Sequence, residues 1–123
     1  MSKITRFEDL ETWQLSRGFT KDVYLLMNEL DVKKEYELKN QLKKASLSIM
    51  NNIAEGFGRY NRKDFIRFLD YSSGSSSEVK SMFYLMEDLE MVKESQAIEI
   101  RDRVDVIQSK VLGLIRHLIK ESR

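Results

Sequence analysis

Four long segments of this chain carry apolar residues at helical spacing, and no proline interrupts any of them. Leucine, lysine, glutamate, methionine and arginine dominate, and glycine is scarce. Such a chain favours helices joined by short connections. With 123 residues it is most simply one domain. A chain of that size builds a core without staples.

The first helix is expected from about Asp9 to Leu30. Leu15, Phe19, Val23, Leu26 and Leu30 form its stripe, with Trp13, Thr20, Tyr24 and Met27 beside it. A loop is expected from Asp31 to about Lys34. The second helix, about Glu35 to Phe57, has Leu38, Leu42, Ala45, Ile49, Ile53 and Gly56 on its core face. A second set, Leu47, Met50, Ala54 and Phe57, points nearly the opposite way. A monomer's surface helix normally has one apolar face, so this set is the expected contact with other copies of the chain; the alternative is a helix covered on both sides by its own chain. Gly58 is expected at the left-handed position that ends the helix. Asn61 then caps the third helix, with Asp64 three residues on.

The third helix is expected from about Arg62 to Glu90, on Phe65, Leu69, Ser72, Ser76, Val79, Phe83 and Met86. The run Ser72-Ser73-Gly74-Ser75-Ser76-Ser77 reads as a linker by composition. The apolar spacing nevertheless holds its phase through it, which favours a continuous helix. The alternative is a break near Gly74. The fourth helix, about Ser95 to Glu121, is capped by Ser95 and carries Ile100, Val104, Ile107, Val111, Leu114 and Leu118. Short links make successive helices antiparallel neighbours, so the expected architecture is an all-α, up-down four-helix bundle spanning residues 1–123.

The chemistry is sparse. There is no cysteine, which excludes disulfides and thiolate metal sites. The one histidine, His117, has Glu121 at i+4 and too few companions for a metal. No phosphate-binding glycine loop is present. The acidic pairs Glu87-Asp88 and Asp102/Asp105 sit on polar helix faces. No cofactor, metal, small-molecule substrate or enzymatic role is expected. No stretch is apolar enough to span a membrane, and Met1 to Arg6 lacks a secretory signal, so a cytoplasmic protein is expected.

Net charge is +1, but it is unevenly spread. Lys39, Lys43, Lys44, Arg59, Arg62 and Lys63 make a candidate surface for RNA or DNA phosphates, with Arg67 nearby and Tyr60 among them to stack on an unpaired base. The stretch from Glu78 to Asp105 leans acidic. Asn52, Glu55 and Arg59 share one stripe of the second helix. They read as a polar clasp fixing helix register or a subunit contact; the less favoured reading makes Glu55 a general acid or base with Arg59 as its electrostatic partner. The alternative function is a protein-interaction module with no nucleic-acid role.

Phe7-Glu8-Asp9-Leu10 with Trp13-Gln14, and Gln41-Leu42-Lys43-Lys44-Ala45 with Ser48-Ile49, occur in order along the chain. Asn52-Ile53-Ala54-Glu55-Gly56 with Gly58-Arg59 follows. Phe65, Phe68-Leu69, Ser72, Gly74-Ser75 and Glu78 complete the series. In order and spacing the chain resembles the four-helix-bundle proteins encoded in intervening sequences of bacterial 23S ribosomal RNA genes. The resemblance implies an antiparallel bundle, a homo-oligomeric ring that is commonly a pentamer, and a suspected association with RNA or DNA. Two features depart from that pattern. Met50 stands where many members have proline, and Lys43-Lys44 replaces paired arginines, which weakens bidentate phosphate contacts.

Overall fold

The computed structural model describes residues 3–30 and 35–121. A short 3-10 turn, Phe7–Asp9, leads into four helices: α1 (Glu11–Glu29), α2 (Tyr36–Gly58), α3 (Arg62–Asp88) and α4 (Glu94–Glu121). The loop expected at Asp31 to Lys34 lies outside the described residues. Side-chain pairs fix the directions. Thr20 meets Ser46 and Asn28 meets Lys43, so α1 and α2 are antiparallel. Ser75 meets Ser48 and Glu78 meets Gln41 across α2 and α3. Ser77 meets Gln108, and Lys80 meets Asp105, across α3 and α4. The bundle is therefore up-down-up-down, as the short links require.

The core follows the apolar stripes. Phe19, Val23 and Met27 of α1 meet Leu42, Ala45, Ile49 and Ile53 of α2. Leu69, Val79, Phe83 and Met86 of α3, with Ile100, Val104, Ile107 and Val111 of α4, complete it. Leu15 is a correction. It lies exposed, while Thr12, Ser16 and Thr20 take buried places on α1. The hydroxyls of Ser16 and Thr20 donate to carbonyls one turn back, and Thr20 also reaches the Ser46 carbonyl on α2. Small polar residues are tolerated inside where the backbone supplies such acceptors. That seam lets α1 and α2 come close.

The serine run of α3 is continuous helix. Its hydroxyls point to two neighbours. Ser72 donates to the Ile49 carbonyl of α2 at 2.9 Å, and Ser75 bonds the Ser48 hydroxyl at 3.0 Å. On the other side, the Gln108 amide of α4 donates to the Ser73 carbonyl at 2.9 Å and to the Ser77 hydroxyl at 2.8 Å. The composition of a linker is here the composition of a close-packed polar seam.

The helix ends differ from expectation in two places. α2 continues through Gly58, and Tyr60 is the left-handed residue, with φ 54°. The Tyr60 N–H closes the turn on the Phe57 carbonyl at 3.3 Å. Helical backbone through Arg59 sets its side chain one turn from Glu55, where the two pair at 3.0 Å. Asn61 does cap α3, accepting from the Asp64 N–H at 3.1 Å. At α4, the helix begins at Glu94, and the Gln96 side chain reaches back to the Lys93 N–H at 3.1 Å. Ser95 is inside the helix and does not cap it. Between them, Glu90 at φ 56° ends α3, with the Met91 N–H on the Met86 carbonyl and the Glu90 N–H on the Glu87 carbonyl. That bond pair is a Schellman motif.

The first and last helices meet through Arg103, whose guanidinium lies 5.3 Å from the Phe19 ring centroid, and through two ion pairs, Asp22 to Arg103 and Glu11 to Lys110. On α3 and α4, the bond to Asp105 raises the pKa of Lys80 above its ordinary value. That interaction is present below the ordinary lysine range and fades as pH rises through the raised value.

Gly56 is where α2 and α3 approach most tightly. A Cβ built there would lie 2.6 Å from the Phe68 Cβ and 3.1 Å from the Phe65 ring. Gly56→Ala is expected to destabilise the bundle by about 1–3 kcal/mol, since the obstructing atom is anchored to the backbone. Gly18, in α1, has open space around it, so Gly18→Ala should stabilise by about 0.5–1 kcal/mol. Urea denaturation of the two variants checks both signs.

Candidate nucleic-acid interface

Antiparallel folding divides the basic stretch. Lys39, Lys43 and Lys44 lie in the first half of α2, and Arg59, Arg62 and Lys63 flank its far end. Lys43 and Arg59 are separated by about 24 Å along the helix at 1.5 Å per residue. They do not form one patch. Lys39 is a correction: it is only 5% exposed, so its side chain lies within the fold and not on a binding surface. Lys43 is half-buried. Its ammonium donates to the Asn28 side chain at 3.1 Å and lies 5.3 Å from the Tyr24 ring centroid. Both contacts tie it to α1. Lys44 is exposed.

The α2–α3 turn keeps the other half together. Arg59, Arg62, Lys63 and Arg67 are all exposed there. Arg59 and Arg67 lie against one ring, that of Phe68, with guanidinium carbons 4.9 and 5.0 Å from its centroid. Phe68 itself is buried, and its edge meets Tyr71. Each arginine is also paired, Arg59 with Glu55 at 3.0 Å and Arg67 with Asp64 at 3.3 Å. Arg62 faces Glu121 of α4 at 3.7 Å. These exposed pairs each contribute at most about 1 kcal/mol. They orient the guanidiniums more than they hold the fold. Cation–π contact and ion pairing together limit the motion of Arg59 and Arg67.

The opposite end of the bundle is acidic. Glu87, Asp88, Glu90 and Glu94 gather at the α3–α4 turn. Glu87 and Lys93 line a shallow depression there, with Met91 and Gln96. Glu87 is not the solvated carboxylate expected from sequence. It accepts from Arg101 at 2.8 Å, and Arg101 is 9% exposed, with its guanidinium 4.0 Å from the Tyr84 ring centroid. The signal was available: Arg101 is three residues before Val104 and follows Ile100, which places it at the margin of the apolar stripe. A buried guanidinium needs a carboxylate partner.

The clasp expected at Asn52, Glu55 and Arg59 is two separate arrangements. Glu55 and Arg59 pair, but the Asn52 amide turns back to the Ser48 carbonyl and hydroxyl at 2.9 and 2.8 Å. Ser48 in turn meets Ser75, so Asn52 supports the α2–α3 seam. The expected subunit face changes too. Leu47 is 37% exposed, and Met50 and Ala54 are half-buried. Phe57 packs on the bundle's own core, edge-on to Phe65 at 5.8 Å. It is half-buried, with Phe65 of α3 brought against it across the short turn. His117 is exposed and lies 2.9 Å from Glu121. Among the described residues, no group of three or more histidines or carboxylates is placed to hold a metal ion, and no helix is long and apolar enough to cross a membrane.

Taken together, these features define an antiparallel four-helix bundle with a cationic turn at one end and an acidic turn at the other. Residues 8–113 match the profile of the 23S rRNA-intervening sequence protein family. The chain belongs to that family. It is similar to a crystal structure of a protein of unknown function from the S23 ribosomal protein family of Bacteroides thetaiotaomicron VPI-5482. The two are 23% identical, with a TM-score of 0.78, over 85% of this chain and 97% of the other. At that identity the likeness speaks for the shared fold. No curated protein matches the chain.

The reassignment of Phe57 has a measurable consequence. Phe57→Asp should unfold or strongly destabilise the bundle, by roughly 2 kcal/mol or more, because it places a carboxylate against Phe65. Circular dichroism during thermal denaturation checks this. A variant that melts like the parent would return Phe57 to the outer surface.

Proposed function

We propose that this protein is a non-enzymatic, cytoplasmic homo-oligomeric scaffold that binds RNA or DNA weakly through phosphate contacts at its α2–α3 turn. One observation carries the reading: Arg59, Arg62, Lys63 and Arg67 are exposed around one short turn and the start of α3, with two of the guanidiniums held against the Phe68 ring. Pre-oriented cations lose less freedom on meeting a phosphate. The near-neutral net charge of +1 keeps the long-range attraction small, so the binding is modest and strongly salt-dependent. Lys44 lies too far along α2 to act in the same contact.

Self-association rests on α2. Leu47 is an exposed apolar residue midway along it, with Met50 and Ala54 partly covered beside it. The family resemblance supports a ring, and a pentamer is its commonest form.

A second reading is a protein-interaction module without a nucleic-acid role. The acidic partners favour it: Glu55, Glu121 and Asp64 already engage three of the four cations of the turn.

Two measurements separate and test these readings. The double variant Arg62→Glu with Lys63→Glu should weaken RNA binding in an anisotropy titration. It should also flatten the slope of log affinity against log salt by about one to two. Unchanged affinity and slope would leave the interaction module standing. For assembly, Leu47→Asp should reduce the mass measured by light scattering while leaving helix content near the parental value. A parental mass would remove this face from the interface.

A further inference from the structure

Tyr60 is the residue of the turn whose presence the fold least requires. Its backbone is left-handed, with φ 54°, at the position where helices most often place glycine. Glu35 and Glu90 have the same backbone sign, so the geometry alone marks nothing. The ring is what differs. It is 89% exposed, and it makes no hydrogen bond or ring contact with any described residue. A bulky residue in this region is disfavoured by sterics, and its apolar faces gain nothing from burial while they stand in water. Glycine would relieve both conditions. Folding therefore gives no reason for an aromatic here.

The surroundings supply one. Arg59 precedes Tyr60, and Arg62 and Lys63 follow within one turn of chain. Arg59 and Arg67 are held on the Phe68 ring below. A free aromatic face within a group of fixed cations has the two elements that bind an unpaired strand: a platform for a base and charges for the flanking phosphates. Duplex nucleic acid offers the phosphates, but its base faces are already stacked on each other. We propose that Tyr60 is a stacking platform for an unpaired base, so that the α2–α3 turn selects single-stranded over duplex nucleic acid. The inference rests on the phosphate-binding reading above and adds the class of ligand to it.

The test uses a labelled short oligoadenylate and a duplex of equal length, titrated at low salt against the parent, Tyr60→Gly, Tyr60→Asn, Tyr60→Phe and the Arg62→Glu/Lys63→Glu variant. Glycine and asparagine both accept the left-handed backbone, so their melting temperatures should equal or exceed the parent's. Both should bind the single strand about tenfold more weakly, as loss of one stacked base predicts. Their duplex binding should be unchanged, and Tyr60→Phe should retain the parental preference. If the glycine and asparagine variants bind the single strand like the parent while charge reversal weakens it, the stacking role is overturned and the phosphate surface stands. A parent that prefers the duplex overturns the stacking role as well. If the parent binds neither probe, or charge reversal changes nothing, the phosphate-binding reading falls and this inference falls with it.

Discussion

The close approach of α2 and α3 is the contact on which the other features depend. At Gly56 there is no room for a methyl group beside Phe68, and one helical turn or more away Ser72 reaches the Ile49 carbonyl. Small side chains let the backbones meet, and hydroxyls satisfy the polar groups that the approach buries. The same proximity carries Phe65 over Phe57 and sets Phe68 between Arg59 and Arg67. The cationic turn is therefore a product of core packing. Its arginines are placed by a buried ring, and the ring is placed by a glycine on the facing helix.

Much of this was legible in the sequence, for reasons that can be located. Helical periodicity through Phe65, Leu69, Ser72, Ser76, Val79 and Phe83 carried the third helix across six residues that look like a linker. Burial of Ser72 and Ser76 shows why the phase was the better guide. The Asn61–Asp64 cap was readable because its spacing is local. What failed was mostly what depends on neighbours. Gly58 has the right residue type for a left-handed helix end, yet it lies inside the helix, Arg59 caps it beside Glu55 and Phe68, and Tyr60 takes the left-handed position. Lys39 reads as surface by type, yet it lies buried in the bundle. Periodicity identifies a helix's faces, but not which face a distant segment will cover.

The charge pattern shows the same limit at larger scale. In sequence, a basic stretch precedes an acidic one. In the bundle, hairpin folding carries the start of α3 and the end of α3 to opposite ends, so part of that order becomes a polarity along the bundle axis. The lysines early in α2 travel instead to the acidic end. A charge run thus predicts a patch only if it is shorter than the helix that carries it. Arg59, Arg62, Lys63 and Arg67 meet that condition because they flank a turn. Functional readings drawn from composition need this correction before residues are grouped into a site.

The edge where α1 meets α4 has a different character from the serine seams. Its outer fastening consists of the ion pairs Asp22–Arg103 and Glu11–Lys110, both open to solvent. Counter-ions compete with such pairs, whereas they leave a buried hydroxyl-to-carbonyl bond untouched. The barrel of helices accordingly has a built-in parting line. Salt therefore weakens the outer fastening of the first helix to the last, by at most about 1 kcal/mol for each pair, while the serine seams keep their bonds.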